Sequence, residues 1–582
     1  MTIPRVQPLR LQNFAGMVPI KDQSQLPSNY AAYSRNTWLY GGNIQGFAAP
    51  VLLHQLVNSN TLSAYRIPID PTQPDNFANS TWLEFADANT NVIRAPMIED
   101  QYHRYYFASP STIPQYNTLA RIVAGQPKYT LGIPVPEVAP TLSVAGGTAT
   151  SLEVRTYCYT WQSAYKEEGP PSPPSVLLTG TVDGTWTVGI TSPQSSDLAG
   201  RDLSTLNLYR SVTDASGNAV FYLVANLPIG TTSYTDTALS TSITGLPQLP
   251  STTWTAPPSD LQGMVSMNNG IIVGWRNERE IWFCEPYRPH AWPAAYSIST
   301  AYPIVGMAEC NGTLIVLTTV TPYAVSGLTP ATMSIQPLNV PEPCLARNSI
   351  CVGPAGVAYA SPNGIILINS AGPSNVTHGI LSRQQWNAMG PSSMNMVVYA
   401  TALLAIQTGS SAQDNGFVID NLDPLVTYSN VSLGAVVVRA FTDEYSGSVF
   451  LIYGGAVWEW DAENATTQLT RLWRSKTFEL PYPSQYAAAI IEFEIPAWVT
   501  AAPTPSSRNV SQPQTFDPTT QYALFRVYGN DSLILTREIQ TNMEVVLFPG
   551  KTKYNRFAFE IEGQVKVKSI QVGPSIKELQ LV

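Results

Sequence analysis

Short apolar runs separated by turn residues recur along the chain, a pattern typical of many short strands. Within residues 1–140, the runs Trp82–Phe85 and Tyr105–Ala108 each predict a strand. The stretch Leu131–Pro140 contains two prolines, Pro134 and Pro136, and predicts a linker between domains. This region is therefore interpreted as an N-terminal segment followed by the first strands of a β-rich body.

Residues 141–250 show clearer alternation. The run Leu152–Trp161 predicts one continuous strand with a polar face and an apolar face, and the proline-rich stretch Gly169–Ser175 interrupts the chain after it. The segment Asp214–Asn218 predicts a hairpin turn. Further strands are predicted at Thr185–Val188, Leu206–Arg210 and Phe221–Val224. Strands at this spacing over about 110 residues indicate a β-sandwich.

The order of aromatic and charged residues in the same region resembles a fibronectin type III-like module. Tyr157-x-Tyr159 precedes the proline-rich stretch, and Leu208-Tyr209-Arg210 and Tyr234-x-Asp236 follow it. The resemblance implies a self-contained sandwich inserted into a larger body.

Residues 260–475 contain a loose repeat of about 40–50 residues, in which each unit pairs two strands across a glycine-containing turn. The predicted strand pairs are Gly263–Met267 with Ile271–Trp275, Val305–Glu309 with Thr313–Leu317, Val357–Ala360 with Ile365–Ile368, and Phe450–Tyr453 with Ala456–Trp460. Three of the four turns are Asn-Gly, the preferred pair of type I′ hairpins. Repeats of this period predict the blades of a β-propeller, although neither a WD nor a kelch signature is present.

Residues 480–582 form a final strand-rich block. Arg526–Asp531 predicts a strand that enters a turn, Phe557–Gly563 predicts an alternating strand, and Thr500–Thr520 predicts an exposed loop. We expect a jelly-roll-like sandwich. The fold class is thus all-β and multidomain, with expected divisions at 1–140, 141–250 (sandwich insertion), 251–478 (propeller-like repeats) and 479–582 (C-terminal sandwich).

Composition narrows the possible functions. Charged residues are only 12% of the chain, against about 25% in typical soluble domains, and the 48 prolines and 38 glycines fit turns better than helices. The net charge is −9, and no Lys/Arg cluster stands out that would follow a phosphate backbone. A sequence-reading nucleic-acid protein is therefore disfavoured, whereas an acidic surface could surround DNA without binding it.

The cysteines and the first residues argue against an exported, disulfide-bonded protein. The five cysteines have irregular spacing without a C-x-x-C pair, which favours buried free thiols over a disulfide framework or a zinc site: Cys158, Cys284, Cys310, Cys344 and Cys351. Met1–Arg5 lacks the apolar stretch of a signal peptide, and no run approaches 18 apolar residues. We expect synthesis in a cytosol and no membrane span.

Motifs for catalysis, metals or cofactors are weak. The four histidines share no spacing that would place two imidazoles on one face, so neither a metal site nor a histidine base is expected: His54, His103, His290 and His378. Gly550-Lys551-Thr552 resembles the end of a P-loop, but Val545 occupies the position of the required first glycine. No G-x-S-x-G elbow is present. We expect no catalytic residue and no cofactor.

A group of carboxylates leaves a glycosidase open as an alternative. Glu278, Glu280 and Glu285 lie among three arginines: Arg276, Arg279 and Arg288. A glycosidase could use such a carboxylate pair, but the same residues fit a solvated hairpin turn with compensating charges, which is the favoured interpretation. The segment Thr181–Trp186 resembles a sialidase Asp-box without its spacing and is interpreted as a turn.

Tryptophans offer a second sugar-binding alternative. A platform for stacking sugars is one interpretation and packing in a core or an interface is the favoured one, for Trp275, Trp282, Trp292, Trp458 and Trp460.

Four groups of residues, in this order, resemble the tail nozzle or tail tubular protein B-like virion proteins of short-tailed bacteriophages (podoviruses). They are Leu11–Pro19 with Leu26-Pro27 and Ala31-x-x-Ser34-Arg35-Asn36-x-Trp38-Leu39-x-Gly41-Gly42; Leu261–Met264 with Asn269-Gly270 and Arg288–Pro293; Cys344–Ser349 with Tyr359–Gly364 and Trp386; and Trp473–Lys476 with Phe478 and Glu578-Leu579. The resemblance covers most of the chain, with the sandwich of residues 141–250 as an insertion.

This resemblance implies a non-enzymatic structural protein of the phage tail, located in the virion. It implies a homohexameric ring at the distal end of the tail, contacts to a tail adaptor or tubular protein and to tail fibres or spikes, and a lumen through which DNA passes without sequence-specific binding. The alternative is a receptor-binding or glycan-degrading phage tail protein.

Overall fold

A computed structural model describes residues 6–97, 99–213, 219–420, 427–494, 523–539, 541–550 and 552–579. Strands account for 48% and helices for 8% of the chain, and the strands form many small antiparallel sheets. The all-β prediction is confirmed. The chain divides into two compact units, one comprising residues 1–86 with 342–582 and the other comprising residues 87–341.

Unit 87–341 contains three four-stranded antiparallel sheets, each built from strands that follow one another in the chain. The first comprises Asn91–Arg94, Arg104–Ser109, Thr112–Thr118 and Tyr129–Thr130; the second comprises Gln262–Ser266, Ile272–Arg276, Glu280–Phe283 and Ser297–Ser299; the third comprises Ile304–Cys310, Thr313–Thr318, Tyr323–Ser326 and Ser334–Pro337. Two apolar clusters lie between these sheets, one around Tyr106 and Trp292 and the other around Val273 and Val316.

Between the first and second sheets, the same unit contains three smaller sheets, which together we call the inserted module. They comprise Thr141–Ala145, Thr185–Gly189 and Ser233–Asp236; Leu152–Arg155 and Leu178–Thr181; and Tyr157–Ser163, Leu203–Thr213 and Ala219–Pro228. Their buried residues form one core that includes Tyr157, Trp161 and Leu208. The module is thus an antiparallel β structure with a core of its own.

The other unit contains two further four-stranded antiparallel sheets. One comprises Cys351–Gly353, Gly356–Ser361, Gly364–Asn369 and Gly372–Asn375; the other comprises Arg439–Thr442, Val449–Tyr453, Ala456–Glu459 and Val51–Gln55. In the second of these sheets, a strand from near the N-terminus completes a sheet whose other three strands lie about 400 residues later. Two-stranded sheets pair Thr37–Trp38 with Gln45–Gly46 and Ser63–Pro68 with Ser80–Phe85.

A large mixed sheet extends through this unit. Its strands are Met394–Tyr399, Ala402–Gln407, Gly416–Asp420, Thr427–Val431, Ala15–Met17, Tyr30–Arg35, Arg471–Ser475, Tyr554–Gly563, Ala523–Gly529 and Ser532–Ile539, with Phe478–Ser484 pairing beside Tyr554–Gly563. A second sheet orders Leu9–Gln12, Lys566–Gly573, Ala488–Glu494 and Val545–Leu547. Side chains from both sheets, among them Phe525, Phe559 and Ile570, share the largest core.

Helices are short wherever the structure describes them. The α-helices are Leu119–Val123, Ser195–Leu198, Ser240–Ile243, Arg383–Ala388 and Ile576–Leu579; 3₁₀ turns lie at Gln23–Gln25, Tyr40–Gly42, Phe77–Asn79, Asn268–Gly270, Pro330–Thr332, Arg347–Ser349 and Pro391–Ser393. The high proline and glycine content accounts for this scarcity, because both residues disfavour helix interiors.

All four strand pairs predicted in the repeat region are present. The turn chemistry is right at Asn311-Gly312, a two-residue loop with both φ angles positive, and the Gly454-Gly455 turn has the same geometry. At Asn363-Gly364 the type I′ prediction is wrong. Ser361 pairs with Gly364, so the two loop residues are Pro362 and Asn363. Proline fixes φ near −65°, which suits a type I turn and excludes type I′.

The predicted continuous strand Leu152–Trp161 is also corrected. It is two strands, Leu152–Arg155 and Tyr157–Ser163, which pair with different partners on either side of Thr156. The second piece is buried on both faces between Tyr157 and Trp161, so the expected polar face is absent there.

Four other predictions can be placed. Trp82–Phe85, Tyr105–Ala108 and Phe557–Gly563 lie in strands as predicted, and Arg526–Asp531 ends in a turn at Asn530-Asp531. The predicted turn Asp214–Asn218 and the predicted loop Thr500–Thr520 lie outside the described residues. No propeller is detected within the described residues. The divisions expected at 140, 250 and 478 stay predictions.

Candidate functional site

Two of the carboxylates considered for glycan hydrolysis, Glu278 and Glu280, lie at the exposed hairpin turn that follows Ile272–Arg276. Glu285 lies beyond the second strand of this hairpin and forms an isolated bridge with Arg288. Arg276 pairs with Asp260, Nε to Oδ1 at 3.0 Å, and lies 3.9 Å from Glu280. Hydrogen bonds from Asn277 and Trp282 lower the pKa of Glu280. A general acid requires the opposite direction. The geometry therefore matches the solvated hairpin turn with compensating charges.

The tryptophans divide between core and surface. Trp275, Trp292 and Trp460 are buried, as the core interpretation predicts. Trp458 is half-buried and stacks on Tyr453 at 5.0 Å. Trp282 is half-buried beneath the Arg276 guanidinium. No flat platform of exposed indoles forms from these five residues.

The cysteines are free thiols, four of them buried and Cys310 half-buried. The described part of the chain brings no three His, Cys, Asp or Glu side chains together in a way that could hold a metal ion. His54 stacks on Trp82 and contacts Glu84 at 3.0 Å. His290 is buried and lies more than 200 positions later in the sequence. Among the described residues, none of the helices has the length and apolarity of a membrane span. Lys551 of the P-loop-like triplet lies outside the described residues.

The residues that carry the module's resemblance meet in its interior. The fully buried carboxylate of Asp236 accepts hydrogen bonds from Arg210 Nη1 at 2.7 Å and from the Tyr157 hydroxyl at 2.7 Å. Arg155 lies 3.5 Å away and stacks on Trp186. Two buried arginines thus share one buried carboxylate. We call these residues the Asp236 cluster.

A second buried charged cluster lies at the base of the module. The loop 163–169 places Glu167 against Arg104, whose Nη1 donates to Glu167 Oε1 at 2.5 Å. Arg104 Nε also donates to Asp100 at 3.0 Å. His290 Nδ1 lies 3.9 Å from Glu167 Oε1, and neither ring nitrogen makes a hydrogen bond within the described residues. We call Asp100, Arg104, Glu167 and His290 the junction cluster.

Burial sets the protonation of the junction cluster. It raises the pKa of Glu167 to about 7; Asp202 and Asp100 add to the rise, and Arg104 opposes it. Burial lowers the pKa of His290 to about 3, with Arg288 and Arg104 adding to this effect. Hydrogen bonds from Arg104 hold the pKa of Asp100 below its usual value, although burial acts in the other direction. Such shifts mark candidate functional sites and also structural ion networks.

The size of the cavity beside the junction cluster decides whether the cluster is a candidate functional site or a structural ion network. The cavity beside Asp100 and Arg104 has a volume of about 30 Å³. This is room for about one water molecule and not for a substrate. The junction cluster therefore fastens the module's loop to the neighbouring sheets.

Larger cavities open on the unit 1–86 with 342–582. One, of about 530 Å³, lies along Phe478–Ser484 and is lined by aromatic residues that include Tyr482 and Tyr486. A neighbouring one of about 540 Å³ contains Arg474 and Arg556, with Asp531 paired to Arg556 at 2.7 Å. Each of these grooves is wide enough for a small ligand.

The outer face of the module carries an unusual set of exposed apolar side chains. Leu152 and Val154 point to the same side of their strand and are 65% and 54% exposed. Thr181 and Thr179 lie opposite them across the two-stranded sheet. Val176 and Leu177, just before the second strand, are 75% and 72% exposed. We call Leu152, Val154, Val176, Leu177, Thr179 and Thr181 the apolar face.

Several residues of the four sequence segments singled out above have structural roles. The Asn36 side chain, at φ 53°, donates to Ser432 O and Thr470 O at 3.1 Å each. Trp473 Nε1 donates to Ala15 O at 3.1 Å, which joins the first and fourth segments. At Gly263, with φ 64°, a Cβ would lie 1.6 Å from the Trp275 ring, so only glycine fits.

Sequence reasoning missed the buried clusters. Arg104 and Glu167 are 63 positions apart and Arg210 and Asp236 are 26 apart, so no local spacing links them. The one available signal was the fibronectin-like pattern. It includes Tyr157, Arg210 and Asp236 but does not predict that they contact one another. No known protein-family model matches the chain. No curated protein matches it either.

Proposed function

We propose that this chain is a structural component of a short-tailed phage tail, a nozzle subunit that assembles into a homohexameric ring around a DNA channel. The apolar face of the module carries the proposal. Contiguous apolar side chains that water contacts are typical of surfaces that another protein covers. Because the face is free of charged residues, it can pack against another protein without desolvating a charge.

The finer architecture belongs to the same proposal. Apart from the sheet that contains Ile570, the described residues of the two units form five four-stranded antiparallel sheets. The first four strands of the large sheet, Met394–Val431, pair in the same sequential order. We interpret these six sets as the blades of a discontinuous propeller-like body. The inserted module is then the fibronectin type III-like sandwich, and the two sheets around Phe525 and Ile570 are the C-terminal jelly-roll-like sandwich.

The proposed partners follow from the ring. Heterologous contacts between copies of one chain generate a ring when the rotation closes. The ring would attach to a tail adaptor or tubular protein and to tail fibres or spikes within the virion. The net charge of −9 supports a lumen in which DNA slides without binding. No turnover of a substrate is part of this function.

A receptor-binding or glycan-degrading tail protein is the second candidate. The groove along Phe478–Ser484 favours it, because the exposed Tyr482 could stack on a sugar and Glu479 lines the same groove. Incubation of bacterial surface polysaccharide with the protein, followed by measurement of reducing ends, tests the enzymatic form. We expect unaltered polysaccharide, and release of oligosaccharides would favour the second candidate.

Sedimentation velocity of the full chain over a range of concentrations tests the assembly. We expect oligomers at high concentration and a shift toward monomer in Leu177→Asp, because the charge must be desolvated when the apolar face is covered. Leu328→Asp is the matched control, since Leu328 is 78% exposed and lies away from that face. A wild-type chain that stays monomeric at every concentration, alone and with virion extract, would contradict the proposal.

A further inference from the structure

Arg471 is a buried arginine without a partner among the described residues. It is 1% exposed, and none of its three guanidinium nitrogens has a hydrogen-bond partner in the described part of the chain. Its strand, Arg471–Ser475, places it on the same inward face as Trp473 and Ser475, which are fully buried. An isolated cation in such a place destabilises the folded state unless acceptors surround it.

The strand positions beside Arg471 are small, and a second buried group without a partner among the described residues lies three positions earlier in the chain. Arg471 pairs across the large sheet with Gly563, which pairs in turn with Ala523, so the adjacent positions carry small side chains or none. Gln564, next to Gly563, donates to the Gln468 carbonyl oxygen at 3.0 Å and so holds the two segments together. The side-chain oxygen of Gln468 is also buried and accepts no hydrogen bond from the described residues.

We infer that Arg471 forms an internal binding site for a small oxyanion, of the class of inorganic phosphate or sulfate. A guanidinium presents its donors in a planar fork that matches two oxygens of such an anion. An oxyanion that carries a hydroxyl, such as hydrogen phosphate, could also donate to Gln468. The charge of the anion would compensate the buried cation, whose pKa burial otherwise lowers to about 9.

This inference does not depend on the proposed phage role. A ligand that binds only the folded state raises the unfolding temperature with saturation. We expect phosphate and sulfate, at constant ionic strength, to raise the unfolding temperature of the full chain by about 2–4 °C above a chloride control. In Arg471→Met the effect is expected to vanish. Arg537→Met, which removes a largely exposed arginine, serves as the matched control and is expected to keep the effect.

A crystallographic measurement covers the case in which Arg471→Met does not fold. Wild-type crystals soaked in selenate are expected to show an anomalous peak within hydrogen-bond distance of the Arg471 guanidinium. Ordered water alone at that position would overturn the inference. An equal thermal effect of phosphate on wild type and on a folded Arg471→Met variant would overturn it as well.

Discussion

The inserted module and the large mixed sheet both bury an arginine, but they do so in opposite ways. In the module, Arg210 is fully buried and donates to Asp236, which Tyr157 and Arg155 also approach. In the large mixed sheet, Arg471 is equally buried and has no partner among the described residues. The same residue type at the same depth is thus compensated in one region and uncompensated in the other. The difference teaches that burial alone does not identify a stabilising charge.

The largest change in the free energy of unfolding is expected when Asp236, the carboxylate partner of Arg210, is replaced. Asp236→Asn leaves Arg210 buried without a carboxylate, whereas Arg155 keeps its ion pair with Glu153. We expect the unfolding free energy of unit 87–341 to fall by about 3–5 kcal/mol. Urea unfolding of the full chain, followed by tryptophan fluorescence and limited proteolysis, measures this loss. Asp260→Asn, which removes the partner of the exposed Arg276, is the control and is expected to cost about 1 kcal/mol or less. Equal losses in both variants would break the comparison.

The junction cluster provides an intermediate case, because the contribution of its charged residues to folding stability depends on pH. The pKa of Glu167 is raised from 4.5 to about 7 in the folded protein, so its contribution to stability is present below pH 4.5 and is lost as the pH rises toward 7. The pKa of His290 is lowered to about 3, so its contribution is present above pH 6.5 and is lost as the pH falls. The two trends oppose each other between pH 4.5 and 6.5.

Glu167→Gln removes the loss of stability that the ionisation of Glu167 causes as the pH rises. Relative to wild type, the variant is expected to gain up to about 3 kcal/mol of stability as the pH rises from 4.5 to 7, because only the wild type must then ionise a buried acid. Unfolding curves of both proteins at several pH values give this difference. A difference that stays constant with pH would show that Glu167 is ionised throughout this range and that Arg104 fully compensates it.

The smallest effect is expected at the uncompensated site. In buffer free of phosphate and sulfate, Arg471→Met is expected to be about 1–2 kcal/mol more stable than wild type, because a buried charge without a partner is replaced by an apolar side chain of similar length. Urea unfolding measures the change. A loss of stability of several kcal/mol would show that Arg471 has a compensating partner and would remove the contrast with Arg210.

Local patterns in the sequence predicted the strands well, but they did not predict which charged residues are buried or which of them pair. The hairpin at Asn311-Gly312 could be predicted because two adjacent residues determine its turn. The turn after Ser361 could not be predicted from Asn-Gly alone, because Pro362 shifts the loop by one residue. The break at Thr156 was missed because alternation continues through it while the pairing partners change.

The candidate sites depend on contacts that local spacing does not encode. Glu167 reaches Arg104 through a loop of the module, and Asp236 reaches Arg210 across its interior. Side chains in the strand Arg471–Ser475 alternate between buried and half-buried, and Arg471 lies on the same buried face as Trp473. A lone basic residue in a strand is usually expected at the surface, so its burial was not predicted. The apolar face was missed for the opposite reason, since Leu152 and Val154 are expected inside.

The central claim is that copies of this chain form a ring. Negative-stain electron microscopy of the purified full-length protein, alone and mixed with virion extract, tests it most directly. We predict closed rings with a central channel, of six subunits, and their loss in Leu177→Asp but not in Leu328→Asp. Isolated particles that never close, with or without virion extract, would contradict the nozzle proposal and would favour the receptor-binding alternative.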